Sequence, residues 1–170
     1  MGIVVQKYGG SSVATAEHIK AVAERVKKAR EAGSDLVVTV SAMGKQTDRL
    51  LRLAGEVSRS PAPREIDQLL STGELQSVAL LAMALHDRGG AAMSLTGSQA
   101  GMKTEGRYGS GVISEIRPKR LRSLLAEGQV AIVAGFQGTN SLGDVMTLGR
   151  GGSDTTAVAL AAALDADRCE

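Results

Sequence analysis

Aromatic residues are almost missing from this 170-residue chain: Tyr8, Tyr108 and Phe136 are the only three, and there is no tryptophan. Three scattered rings cannot build a base-stacking platform. Charge of one sign is missing too, since 20 basic and 18 acidic residues leave a formal charge of +2. With neither stacking nor a basic surplus, no nucleic-acid partner is expected. Cysteine is limited to Cys169 and histidine to His18 and His86, which excludes an internal disulfide and a zinc-ligand set. No uninterrupted apolar run exceeds eight residues (78–85 and 157–164), against the roughly 20 that span a bilayer, so no membrane partner is expected. Residues 1–12 lack a basic leader with an apolar stretch, and Gln6 breaks the myristoylation pattern that Gly2 opens. A cytoplasmic protein is expected. Hydrophobic residues at 43% and charged residues at 22% exclude disordered and fibrous classes, and the length suits one domain.

What is abundant is glycine, 21 residues, or about 12% against an average near 7%. These glycines punctuate an alternation of strands and helices. Residues 3–6 predict a buried strand ending at Gly9-Gly10. A helix follows over 15–32, with Ile19, Val22, Ala23, Val26 and Ala29 at helical spacing, Thr15 as cap and Lys27, Lys28 and Arg30 at its negative end. Residues 36–40 predict a second strand, the turn Ser41-Ala42-Met43-Gly44, and a helix outlined by Leu50, Leu53, Ala54 and Val57. Beyond Pro61 and Pro63, one helix starts at Arg64 and breaks near Ser71-Thr72-Gly73, and a second, strongly apolar one covers 74–87. A short strand over 93–95, a Gly-rich loop over 97–111, a helix opened by Pro118 and a central strand over 130–134 come next. A loop or hairpin over 136–147 leads to an Ala-rich helix capped by Ser153 or Asp154. The pattern predicts an α/β fold: an open, mostly parallel sheet sandwiched by helices. Residues 166–170 read as the start of a further strand, so an N-terminal piece of a longer protein is expected.

In open α/β sheets, ligands bind beyond the carboxyl ends of the strands. Four small-residue turns fall there: Gly9-Gly10-Ser11-Ser12, Ser41-Ala42-Met43-Gly44, Gly97-Ser98-Gln99-Ala100-Gly101 and Gly135-Phe136-Gln137-Gly138. A single such turn needs no function, but four in one sheet, joined by residues 149–152, point to exposed amides and an anionic ligand. Gly44-Lys45-Gln46 is not a Walker A loop, and the glycines over 106–111 have the wrong spacing for a dinucleotide fingerprint. Lys7, beside Gly9-Gly10, either snorkels from a sheet edge or neutralises a phosphoryl group. Arg150, among glycines, has the fork that grips a carboxylate. Asp154 lies in a first helical turn. Glu74 is either a helix-start charge or the partner of a ligand ammonium, Thr47 either an N-cap or a ligand contact, and Ser41 either a turn residue or a phosphate contact. Opposed charges beside phosphate-type turns suit an amino-acid substrate.

The strings Lys7-Tyr8-Gly9-Gly10-Ser11-Ser12-Val13, Val40-Ser41-Ala42-Met43, Ser71-Thr72-Gly73-Glu74, Phe136-Gln137-Gly138 and Thr147-Leu148-Gly149-Arg150-Gly151-Gly152-Ser153-Asp154 together resemble the aspartate kinases of the amino-acid kinase superfamily. The resemblance covers the whole chain in order. It implies a three-layer fold and transfer of the ATP γ-phosphoryl to the side-chain carboxylate of L-aspartate, with Mg2+ as counter-ion and no permanently bound cofactor. The product, 4-phospho-L-aspartate, leads to lysine, threonine and methionine. By the same resemblance Lys7 and Asp154 are catalytic, while Lys7, Gly9, Gly10, Ser11 and Ser41 bind phosphate. Thr47, Glu74, Arg150, Gly151, Gly152 and Ser153 bind the amino acid. Ser11 stands where that family commonly has Thr. The resemblance further implies that residues 1–170 are the N-terminal portion of a catalytic domain. The nucleotide-binding remainder and the ACT regulatory domains then lie elsewhere in a full-length homo-oligomer, and the piece by itself is inactive. Open alternatives are a superfamily member acting on acetylglutamate, glutamate or a nucleoside monophosphate, and a non-catalytic anion-binding piece that needs a partner chain.

Overall fold

The strongest β signals in the sequence, three β-branched runs, become the centre of one parallel sheet. They are β1 (Ile3–Tyr8), β2 (Asp35–Val40) and β6 (Val130–Ala134). The computed structural model describes residues 2–170. Helix α1 (Ala16–Glu31) joins β1 to β2 and is capped by Thr15, whose hydroxyl accepts the His18 N–H. Helices α2 (Gln46–Val57) and α3 (Pro63–His86) lead to β3 (Ala92–Leu95), followed by the hairpin β4 (Met102–Arg107) and β5 (Ser110–Ile116). Helix α4 (Lys119–Ala126) precedes β6, and the hairpin β7 (Gln137–Thr139) and β8 (Val145–Thr147) precedes α5 (Gly152–Leu164) and β9 (Arg168–Cys169).

The main sheet has the order β3-β6-β2-β1-β9, with every pair parallel. Period-two alternation splits its side chains between two cores. Val4, Leu36, Val38, Val40 and Ile132 pack on α1 and α3 through Val22, Val26, Leu81 and Leu85. Val5, Val37, Ala131 and Val133 pack on α4 and α5 through Leu121, Leu125, Leu160 and Leu164. The expected layers of helix, sheet and helix are therefore present. No helix among the described residues is long and apolar enough to cross a membrane.

Several expectations need correction. Residues 97–111 are not one loop: Met102 and Thr104 point inward, Lys103 and Glu105 outward, and the segment forms β4 and β5 around Tyr108-Gly109, where Gly109 has φ +79°. This hairpin joins β7 and β8 in a second, four-stranded sheet of order β5-β4-β7-β8 against α3. The break expected at Ser71-Thr72-Gly73 does not occur. The Ser71 and Thr72 hydroxyls donate to the carbonyls of Gln68 (2.8 Å) and Leu69 (2.7 Å), so they are satisfied within a continuous helix. Gly73 is set by packing, since a Cβ there would lie 2.9 Å from the Ala42 Cβ. On α2 only Leu50 is buried. Leu53 and Val57 stay exposed beside Pro61 and Ile66, because the proline-containing segment that follows is extended and covers little. Cys169 is exposed on the edge strand.

Candidate functional site

A cleft of about 260 Å3 opens above the carboxyl ends of β1, β2 and β6. It is lined by Lys7, Gly10, Ser41, Thr47, Glu74, Arg150, Gly151, Gly152, Ser153 and Asp154 from the expected set, together with Ala42, Gly44, Phe136 and Gly149. Residues separated by up to 147 positions thus meet at the switch point of a parallel sheet.

The phosphate-type side is built by two turns in close contact. The Gly44 N–H donates to the Gly10 carbonyl (2.9 Å) and the Ser41 N–H to the Tyr8 carbonyl (3.1 Å). A Cβ on Gly10 would lie 2.8 Å from the Ala42 carbonyl oxygen, so only glycine permits this approach. Residues Gly10–Val13 form a 3-10 turn, whose first N–H groups have no acceptor within the turn. Lys7 Nζ sits 2.9 Å from Asp154 Oδ1, with the lysine a quarter exposed and the aspartate mostly exposed. Gly9 lies beside that ammonium but does not line the cleft, and Ser11 is exposed outside its lining.

The buried acid packs against the second of these turns. Glu74 lies in the interior of α3, which corrects its reading as a helix-start charge. Gly73 brings the helix so close to the β2–α2 turn that Glu74 Oε1 accepts the Ala42 N–H at 3.1 Å, while Oε2 is buried with no partner. Burial pushes the carboxyl up to about 7, opposed in part by the Ala42 hydrogen bond. A buried oxygen without a donor is costly, and a hydrogen-bond donor entering the cleft would satisfy it.

The third wall is the β8–α5 segment. Gly151, in the left-handed region at φ +75°, takes the N-cap position of α5, so neither Ser153 nor Asp154 caps the helix and both lie in its first turn. Thr47 likewise follows Gln46 inside α2, whose N-cap is Lys45. Arg150 is exposed and, among the described residues, makes neither an ion pair nor a hydrogen bond. The Gly97–Gly101 turn does not join the cleft; Gly97 packs on the Gln137 carbonyl and Gly101 on the Arg117 carbonyl, so those glycines only permit close packing. Phe136 had no role assigned from sequence, yet it lines the cleft with φ +69°, held by its N–H to Thr156 Oγ1 (3.1 Å). A non-glycine residue in that region is a mark of strain at a site, but φ is not legible from residue type. No cluster of three or more potential metal ligands exists among the described residues.

Three comparisons with known proteins agree with this geometry. The amino acid kinase family profile matches residues 2–170. The chain is 60% identical to an aspartokinase of Mycolicibacterium smegmatis and 57% to one of Geobacillus stearothermophilus, all of it being covered in both cases. It spans 41% and 42% of the length of those two relatives. Among solved structures, aspartate kinase from Synechocystis superposes with a TM-score of 0.83 at 54% identity, over 98% of this chain and 27% of that one. E. coli aspartokinase III in complex with aspartate and ADP superposes with 0.86 at 28% identity, over 98% and 48%. The parallel sheet, the cleft at its carboxyl edge and the profile match over 2–170 have one common explanation: this chain belongs to the amino acid kinase family.

Proposed function

We propose that this chain carries the amino-acid and phosphate subsites of an aspartate kinase, which transfers the γ-phosphoryl of ATP to the side-chain carboxylate of L-aspartate in the cytoplasm. The carrying observation is the pairing, in one cleft, of a buried carboxylate oxygen that lacks a donor with an unengaged guanidinium. An α-amino acid presents the complement of both. The names of the relatives and the aspartate bound by the E. coli enzyme support this amino acid in particular.

Arg150 grips the α-carboxylate through its fork, Glu74 takes the α-ammonium, and Thr47 and Ser153 orient the ligand, with Gly151 and Gly152 leaving it room. A side-chain carboxylate oxygen then attacks the γ-phosphorus as the bond to the β-phosphate oxygen breaks, giving 4-phospho-L-aspartate and ADP. No proton has to move. The demand is charge stabilisation and alignment, which Lys7 supplies at the transferring group, with Ser41 and the Gly10 amide in the cleft and the Gly9 and Ser11 amides just outside its lining, where the phosphate tail of ATP would extend. Asp154 holds the Lys7 ammonium in place. Mg2+ enters with ATP as part of the substrate; the cleft offers a lone exposed carboxylate, Asp154, which suits outer support of a nucleotide-bound ion better than a resident metal. The adenine subsite and feedback control belong to a remainder outside these residues. The product feeds lysine, threonine and methionine biosynthesis.

Calorimetric titration of the chain with L-aspartate, using L-glutamate as control and ATP-dependent aspartyl hydroxamate formation as a parallel assay, tests the reading. Selective aspartate binding without turnover is expected. Equal binding of both amino acids, or of neither, overturns the substrate. Hydroxamate formation overturns the assignment of the adenine subsite to a remainder.

A further inference from the structure

Only two acids are buried among the described residues, Glu74 and Asp67, and the proposed reaction uses only the first. Asp67, on α3, has no solvent exposure and is fully engaged. Its Oδ2 accepts the N–H groups of Gly109 and Thr147, each at 2.9 Å, and its Oδ1 accepts the Thr147 hydroxyl at 2.7 Å. Burying a carboxylate is expensive and holding it needs geometry of this quality. An apolar side chain would leave the buried Thr147 N–H and hydroxyl without an acceptor, so these contacts secure the location of Thr147, and with it that of the β4–β5 turn at Gly109.

Asp67 is the first of three polar attachments on one face of α3. One turn on, the Ser71 carbonyl accepts the Gln137 side-chain amide at 3.0 Å. Another turn on, Glu74 holds the Ala42 N–H. Positions 67, 71 and 74 are i, i+4 and i+7, a single helical stripe. Gln137 and Thr147 are directly opposed partners of the β7–β8 ladder. Their separation of about 5 Å matches the rise of about 6 Å between residues 67 and 71, so the strand pair seats on the helix in one register. The chain then runs directly from Thr147 to Arg150. The Leu148 N–H donates to the Phe136 carbonyl (2.8 Å), and beyond the glycines Thr156 Oγ1 donates to the Gly152 carbonyl (2.7 Å). Between these anchors Arg150 rides on a turn closed by the Gly152 N–H on the Gly149 carbonyl (3.0 Å), and its side chain makes no ion pair or hydrogen bond that would locate it, so its place depends on where Thr147 and α5 hold the two ends of that turn.

We propose that Asp67, acting through Thr147, is a positioning residue that sets Arg150 opposite Glu74, with α3 as the ruler between the carboxylate-binding and ammonium-binding groups of the cleft. This rests on the amino-acid reading of that cleft. Asp67 touches no reacting atom; its effect reaches the ligand only through Arg150.

The test is a double-mutant cycle on L-aspartate binding by the chain, read by calorimetry, with the folded state of each variant checked by circular dichroism. Thr147→Val keeps the shape and removes the hydroxyl from Asp67, and Thr147→Ala serves the same purpose if valine is not accommodated. Weakening of a charge-assisted hydrogen bond from Arg150 to the ligand carboxylate predicts affinity about tenfold weaker. Thr147→Ser, which keeps the hydroxyl, is expected within about twofold of the parent. In an Arg150→Ala background the Thr147 substitution is expected to add less than about twofold, an outcome that mere loosening of the fold would not give. Undiminished affinity in Thr147→Val, or an equal loss with and without Arg150, overturns the ruler while leaving the amino-acid site intact. Absence of aspartate binding by the parent chain overturns the site itself and the ruler with it.

Discussion

Replacing Glu74 by Gln should make the protein more stable at alkaline pH, by an amount the structure sets. Burial pushes this carboxyl from an ordinary 4.5 to about 7. Between those values the unfolded chain has released the proton while the folded chain keeps it. Stability therefore falls as pH rises through this window and levels off above it. The full penalty is about 3 kcal/mol above pH 8, at about 1.36 kcal/mol for each pH unit of the gap. At pH 5 it is below about 1 kcal/mol by the same relation. Glutamine keeps an oxygen for the Ala42 N–H and cannot ionise, so the variant loses the penalty but retains the contact. The assay is urea unfolding of both proteins at pH 5 and pH 8, followed by far-ultraviolet circular dichroism. Because every other titrating group is shared, the difference between variant and parent isolates Glu74. That difference is expected to grow by about 2 to 3 kcal/mol from pH 5 to pH 8 in favour of glutamine. A difference that stays within about 0.5 kcal/mol across the two pH values refutes the desolvated carboxyl. The same variant should lose selective aspartate binding, since an amide cannot pair with an ammonium as a carboxylate does.

Gly73→Ala should be destabilising despite alanine's better helix propensity, by about 1 to 2 kcal/mol, because the new Cβ meets that of Ala42; urea midpoints check this. Lys7→Ala, in a form of the protein that turns over, should depress the rate about 100-fold or more while changing aspartate affinity little, and equal losses in both would remove Lys7 from phosphoryl stabilisation. Asp144, hydrogen-bonded by Arg64 (2.9 Å) and Tyr108 (2.9 Å), has its carboxyl held below the ordinary range, first by the guanidinium. The stability this contact contributes is present above the ordinary carboxylate pKa and lost as pH falls through the lowered one. Thermal melting should show Asp144→Asn flatter than the parent along the acid limb, and parallel limbs would refute the contact.

Residues 3–6, 36–40 and 130–134 were legible as strands because strands buried on both faces of a parallel sheet are runs of β-branched residues. Helix α1 was legible through its stripe and its Thr15 cap. Most of the cleft was legible as well, because Lys7, Ser41, Arg150 and Asp154 sit where strands end among glycines. By itself, then, the sequence determined the parallel α/β architecture, the edge of the sheet at which the cleft opens and the kinds of charge that line it. The tertiary structure alone decided the rest. Met102 to Ile116 holds too few apolar residues to announce a hairpin, and it becomes one only by pairing with Gln137–Thr139 and resting on α3. Ser71-Thr72-Gly73 looks like a break locally, but its hydroxyls find carbonyls within the helix and its glycine finds Ala42. Whether Glu74 is a solvated helix-start charge or a buried acid with an unpartnered oxygen depends on that same contact. Asp67 carries no sequence signal, because its partners lie 42 and 80 residues away. Local propensity and period select elements; burial and hydrogen-bond partnership are properties of which elements meet, and these set the chemistry of a carboxylate.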